Sequence, residues 1–178
     1  MSVEQIKNDI EKIIGDESKL YSYLYDLTYN ERSKNIRFLE SIYTPFLSDC
    51  RSEIRRVAIY CLLFGLQIRK PEFKKIALNT SQDRLNDIDL RSTCVTGLAQ
   101  AYMATDDKEL LSTFNLLFKD EEEDVDIRTE AFVGMMKLHG LNSVQIAKRN
   151  NNKIVFSISD IHLEEFSDEL LEIDKIIS

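Results

Sequence analysis

The chain has no tryptophan and only two prolines, five glycines, two histidines and three cysteines in 178 residues. So little proline and glycine leaves few turn signals for a many-stranded β fold, and the balance favours helices. The cysteines, Cys50, Cys61 and Cys94, are odd in number and lack CxxC spacing. That argues for reduced thiols in a cytoplasm over a disulfide framework. The opening MSVEQIKNDIEKIIG carries acids and no apolar core of signal-peptide length, so no secretory signal is expected. No apolar run approaches the roughly 18–20 residues needed to span a bilayer. The longest, Val57 to Leu66, is broken by Tyr60 and Gly65. A cytoplasmic protein that does not engage membranes is expected.

Catalytic residue types are equally sparse. His139 and His162 lack metal-ligand spacing, and no GxGxxG, Walker or GxSxG pattern occurs. Cys50 lies beside Arg51, a setting that can lower a thiol pKa, but no histidine partner is evident. No catalytic residue, metal or cofactor is therefore expected. What the chain does have is apolar material, 43% of its residues, and 30% charged residues. That suits one domain of elongated shape, whose surface is large for its volume.

Three segments superimpose without gaps: EIRRVAIYCL (Glu53 to Leu62), DLRSTCVTGL (Asp89 to Leu98) and DIRTEAFVGM (Asp126 to Met135). Their arginines, Arg55, Arg91 and Arg128, are 36 and then 37 residues apart. Each follows an aliphatic residue and, before that, an acid. Small residues come three later (Ala58, Cys94, Ala131) and six later (Cys61, Gly97, Gly134), followed at once by Leu62, Leu98 or Met135. Such spacing makes one stripe of an α-helix whose small residues admit a close neighbour. The leading acid sits where it caps or charges a helix N-terminus. Upstream lie partner helices at Ile36 to Phe46, Glu72 to Leu78 and Lys108 to Phe118, giving a unit of about 36 residues.

This acid–aliphatic–Arg pattern with paired small residues and a following Leu or Met resembles the second helix of HEAT repeats. The resemblance covers residues 33–140 and implies an all-α, right-handed α-α superhelix. It also implies a ladder between repeats, here Asp89 and Asp126 with Arg55, Arg91 and Arg128. Residues 1–32 then read as N-terminal capping helices, with Ile6, Ile10 and Ile13/Ile14 in one stripe and Leu20, Tyr21, Leu24 and Leu27 in the next. Residues 141–178 read as a C-terminal cap. There Val144 and Ile146, then Ile154, Phe156 and Ile158, alternate with other residues around Asn150, Asn151 and Asn152, which suggests a short hairpin. The competing reading starts a fourth repeat at Val144 to Arg149. Leu163 to Ile177 reads as an acidic amphipathic helix.

The formal net charge of −8 is unevenly spread. Arg51 to Lys75 holds seven basic residues against two acidic ones, and Asp106 to Glu130 holds ten acidic against three basic. The acidic stretch includes Glu121, Glu122 and Glu123, a surface suited to steering a basic partner. Nucleic acid is disfavoured by the overall charge, and the aromatic-lined basic cradle of HEAT-like DNA glycosylases has no tryptophan to build on.

In HEAT-like stacks the second helices line the concave face. Positions one, five and nine after each arginine then point outward: Arg56, Tyr60 and Phe64; Ser92, Thr96 and Gln100; Thr129, Val133 and Lys137. Tyrosine and arginine are enriched at binding hot spots. The expected activity is thus a non-catalytic protein-binding module, one form of which is an inhibitor of the bacterial toxin-immunity type. The alternatives are a HEAT-like enzyme or lyase accessory acting on a cofactor or DNA base, and a self-associating scaffold subunit.

Overall fold

A computed structural model describes residues 2–31 and 35–178. The expected boundary between residues 32 and 33 lies outside the described residues. The helices are α1 (Val3–Ile13), α2 (Glu17–Glu31), α3 (Ile36–Tyr43), α4 (Ser52–Ile59), α5 (Pro71–Gln82), α6 (Ile88–Ala101), α7 (Lys108–Lys119), α8 (Val125–Leu138), α9 (Ser143–Arg149) and α10 (Ser167–Ile177). A 3-10 turn, Thr44–Ser48, extends α3, and a π-helical segment, Tyr60–Gly65, continues α4. No strand occurs among the described residues.

Local chemistry sets most helix starts. Asn35, Asp87, Asp107 and Asp124 accept backbone N–H bonds at the N-termini of α3, α6, α7 and α8. Pro71 occupies the first turn of α5, where its missing N–H costs nothing. Glu53, Asp89 and Asp126 sit one or two residues inside their helices, charging the first turn while α6 and α8 are capped from Asp87 and Asp124.

Helices α5/α6 and α7/α8 pack as consecutive pairs, while α4 packs on the 3-10 turn that extends α3 and α3 on the π-helical continuation of α4. Helices α2, α4, α6 and α8 lie side by side in one layer, while α7 contacts α5 on one side and α10 on the other in a second. The result is an all-α, multi-helix fold of adjacent helix pairs with a solenoid-like architecture. Between the layers runs a continuous core in which Ile54, Leu90 and Ile127, the aliphatic residues before each arginine, are fully buried. The small residues do what their spacing implies. A Cβ on Gly134 would stand 2.8 Å from the ring of Phe114 and 3.4 Å from Ala99. One on Gly97 would stand 3.1 Å from Leu63 Cβ. Cys61 and Cys94 are core residues, and burial pushes their thiols up to about 11 and about 12.

Two expectations need correction. The arginine ladder exists, but its partners are not Asp89 and Asp126. Arg55 donates to Asn86 Oδ1 at 3.2 Å, and Arg91 forms a fork with Glu123 at 3.0 and 2.5 Å. Arg91 Nε also reaches the Ser81 carbonyl, as Arg128 Nε reaches that of Phe118. The long guanidinium arms lie beneath the turn before the next second helix, so they meet a residue three positions ahead of the acid. Glu123 is consequently 7% exposed, withdrawn from the acidic surface. Burial, the largest single influence, would raise its carboxyl pKa, but the Arg91 hydrogen bonds, the Asp124 N–H and the charges of Arg91 and Arg84 together outweigh it and hold the carboxyl below the ordinary value.

Nor do residues 144–158 form a hairpin. Residues Ser143–Arg149 are helical because Asn142 and Gln145 form a reciprocal capping box, which satisfies two N-terminal donors at once. Asn150 ends this helix and is fully buried; its amide bonds the carbonyls of Lys153 and Asp160, and its Oδ1 accepts from His162 N–H. The asparagine run is thus the lock of an irregular segment. The acidic tail is helical as expected, entered through the 3-10 turn Leu163–Phe166. Phe166 packs edge-on against Phe132, which in turn meets Phe118.

Candidate functional site

The outer surface of the α2–α4–α6–α8 layer gathers most of the outward positions expected from the repeat. Tyr60 and Phe64 stack at 5.0 Å between ring centroids, on the π-helical segment of α4; such segments recur at functional sites. Tyr60 also stacks on Tyr25 of α2 at 5.6 Å. Tyr21, Tyr25 and Tyr29 follow at four-residue intervals, so they share one face of α2. Their hydroxyls connect: Tyr25 to Tyr29 at 3.2 Å and Tyr29 to Tyr60 at 3.0 Å. Burial, then contact with Tyr29, pushes the Tyr60 hydroxyl above its ordinary pKa, so it stays protonated. The guanidinium of Arg56 lies over the Tyr21 ring at 5.5 Å and pairs with Glu53. Five aromatic rings and one arginine therefore form a strip across two helices, with Tyr29 60% exposed.

Tyr25 and Tyr29 stand outside the apolar stripe of α2, which explains why its core pattern does not reveal them. The available signal is the tyrosine at every fourth position. That period puts the rings on one flank, but nothing in it shows that the flank borders Tyr60.

Toward α8 the surface changes character. Thr96 bonds the Ser92 carbonyl and Glu130. Gln100 is half-buried. Val133 and Lys137 line a small cavity of about 200 Å³ with Thr96, Glu130, Ile146 and Val155. Burial depresses the Lys137 pKa, which Glu130 only partly offsets. Thr129 does not point into solvent: it is 4% exposed and donates to the Val125 carbonyl. The segment carrying Ile158–Asp160 packs onto α8 and covers this end.

Of the acidic turn, only Glu121 and Glu122 remain as exposed charge. Asp120 pairs with Arg84, Glu123 with Arg91, and Asp124 caps α8. The basic stretch is similarly engaged. Arg51 pairs with Asp49 and reaches the Ile14 carbonyl, while Lys70 pairs with Glu40. Lys74 pairs with Asp107 and Glu109, and Arg69 donates to the Ala101 carbonyl. Cys50 is exposed.

His139 bridges Asp106 (Nδ1, 2.8 Å) and Glu172 (Nε2, 3.1 Å), joining the end of α8 to α10. His162 lies 3.5 Å from Glu164. No group of three His, Cys, Asp or Glu is placed to hold a metal among the described residues. None of their helices is long and apolar enough to cross a membrane. Compared with known proteins, the chain matches no family model, no curated protein and no solved structure.

Proposed function

We propose that this chain is a non-catalytic, HEAT-like protein-binding module, and that its partner docks on the outer face of α2, α4, α6 and α8. The observation that carries the reading is the strip of Tyr21, Tyr25, Tyr29, Tyr60 and Phe64 with Arg56 at its edge. Aromatic rings stacked on one another are rigid, so little side-chain entropy is lost when a partner covers them, and they offer large apolar area with polar tips. Tyrosine and arginine anchors of this kind dominate binding energy at interfaces. A cytoplasmic inhibitor that occludes a basic protein, in the manner of toxin-immunity proteins, is the specific form we favour.

The test is a photo-crosslinking amino acid placed at Phe64, or at Asn79 on the opposite layer, in cells that make the protein natively. A single protein adduct from position 64 and none from 79 is expected. Tyr60→Ala with Arg56→Ala should remove that adduct while the helical circular-dichroism signal stays unchanged. Equal labelling from both positions, or none from either, rejects the reading.

A further inference from the structure

Among the described lysines, Lys137 stands apart. Lys70 and Lys74, the other half-buried ones, are ion-paired with Glu40 and with Asp107 and Glu109. The remaining described lysines are exposed. Lys137 is half-buried on α8, yet its amine has no hydrogen-bond or ion-pair partner among the described residues. A cation withdrawn from water without a partner is costly, so a lysine in that position gives up its charge more readily. Burial accordingly lowers its pKa, and Glu130 offsets this only in part.

Lys137 lines a cavity of about 200 Å³ built from several parts of the chain. Val133 of α8, Ile146 and Ala147 of α9, and Ile154 and Val155 of the following segment make it mainly apolar. That segment is held in place by the buried Asn150 amide, which bonds the carbonyls of Lys153 and Asp160. Ile154 is 64% exposed, so the cavity is reached from solvent on that side. An apolar hollow with a few placed polar groups is the usual form of a small-molecule site. Glu130 is the other charged residue in the lining, and its carboxylate is bonded to Thr96. Its charge disfavours an anionic occupant. Ser143 adds a hydroxyl without a hydrogen-bond partner among the described residues. Since a water's share of liquid volume is about 30 Å³, the space suits about six or seven non-hydrogen atoms.

We propose that the Lys137 amine captures a small, uncharged aliphatic aldehyde in this cavity as an imine. The nitrogen lone pair attacks the carbonyl carbon, both amine protons pass to the carbonyl oxygen, the C–O bond breaks, and one water leaves a C=N bond behind. The step is stoichiometric and reversed by water, so the aldehyde is held and not turned over. It uses no residue of the tyrosine strip and goes beyond the protein-binding reading.

The test is reductive trapping. Wild-type protein at neutral pH is treated with limiting isovaleraldehyde, an aldehyde of that size, and cyanoborohydride, then mapped by peptide mass spectrometry. Lys137 should be alkylated at least tenfold faster than the exposed Lys7, Lys148 and Lys153. Naphthaldehyde, too bulky for the cavity, should lose that preference. α-Ketoisovalerate, similar in size but anionic, should label Lys137 poorly, and Glu130→Gln should raise that labelling several-fold. Ala147→Leu, which fills the cavity from α9, should slow isovaleraldehyde labelling of Lys137 at least tenfold with the helical signal intact. Tyr60→Ala with Arg56→Ala should leave it within twofold. Equal alkylation of Lys137 and Lys153 by isovaleraldehyde, or the same preference with naphthaldehyde, overturns the proposal. Both of those outcomes are read on the unmutated protein, so neither depends on a variant folding.

Discussion

The two ends of the α2–α4–α6–α8 layer treat equivalent positions in opposite ways. On α4, Arg56, Tyr60 and Phe64 stay half-exposed against a flank of tyrosines. On α8, Thr129 is buried and Val133 and Lys137 lie in a small cavity, because the segment after α9 folds back over the helix. Beneath α8 the chain also concentrates its polar locks: the Arg91–Glu123 fork, the buried amide of Asn150 and the His139 bridge. Repeated sequence thus yields one end covered by the segment after α9 and one end whose aromatic side chains stay half-exposed beside α2. The contrast teaches that the exposure of an outward position in a repeat is decided by how the terminal segments pack beside it.

The sharpest way to break the contrast is at its closed end. Glu123→Ala leaves the guanidinium of Arg91, 3% exposed as a residue, without its charge partner. Loss of one member of a buried pair costs about 3–5 kcal/mol, which lowers the thermal midpoint by roughly 10 °C in a chain of this size. A change within 2 °C would show that the fork contributes nothing. The pH dependence has a definite sign. The Glu123 carboxyl is held below its unfolded value of 4.5, so its contribution is present above that pH and is lost as pH falls through the folded value. Wild type should lose more stability on acidification than Glu123→Ala.

A smaller effect is expected from Asn150→Ala. It leaves the carbonyls of Lys153 and Asp160 and the N–H of His162 without their partner, at a cost of about 2–3 kcal/mol. Hydrogen exchange should then quicken over residues 150–162 and leave α2 and α4 unchanged. Uniform quickening along the chain would dissolve the distinction between the ends.

The least effect concerns His139. Burial alone would depress the imidazole pKa, but the bonds to Asp106 and Glu172 outweigh it and raise it above 6.5. Its contribution is therefore full below about pH 6.5 and lost as pH rises through the folded value. Attachment of α10 should loosen on alkalinisation through that range, read as faster exchange at 167–177. His139→Ala should remove the pH dependence, with a stability change of about 1 kcal/mol or less.

The repeats were legible because a helix stripe is a local property. Residues 54, 58, 61 and 62 share a face whatever surrounds them, and the close approach at Gly134 follows once two helices stack. Alternation of Val144 and Ile146 suggested a strand, but the structure joins Asn142 and Gln145 in a capping box. Two satisfied backbone donors outweigh a two-residue alternation, and the helix forms.

What the sequence by itself determined is the period of about 36 residues, the helix pairs, the small-residue seams and the absence of strand signals in the repeats. Each depends on spacing within one helix or on the residue that caps it. Tertiary structure alone decided that Arg91 meets Glu123, that Tyr29 meets Tyr60, and that residues 150–160 close the α8 end. Those contacts join residues some thirty apart or depend on how an irregular tail is held. Their energies come from burial and long side-chain reach, which no local pattern encodes.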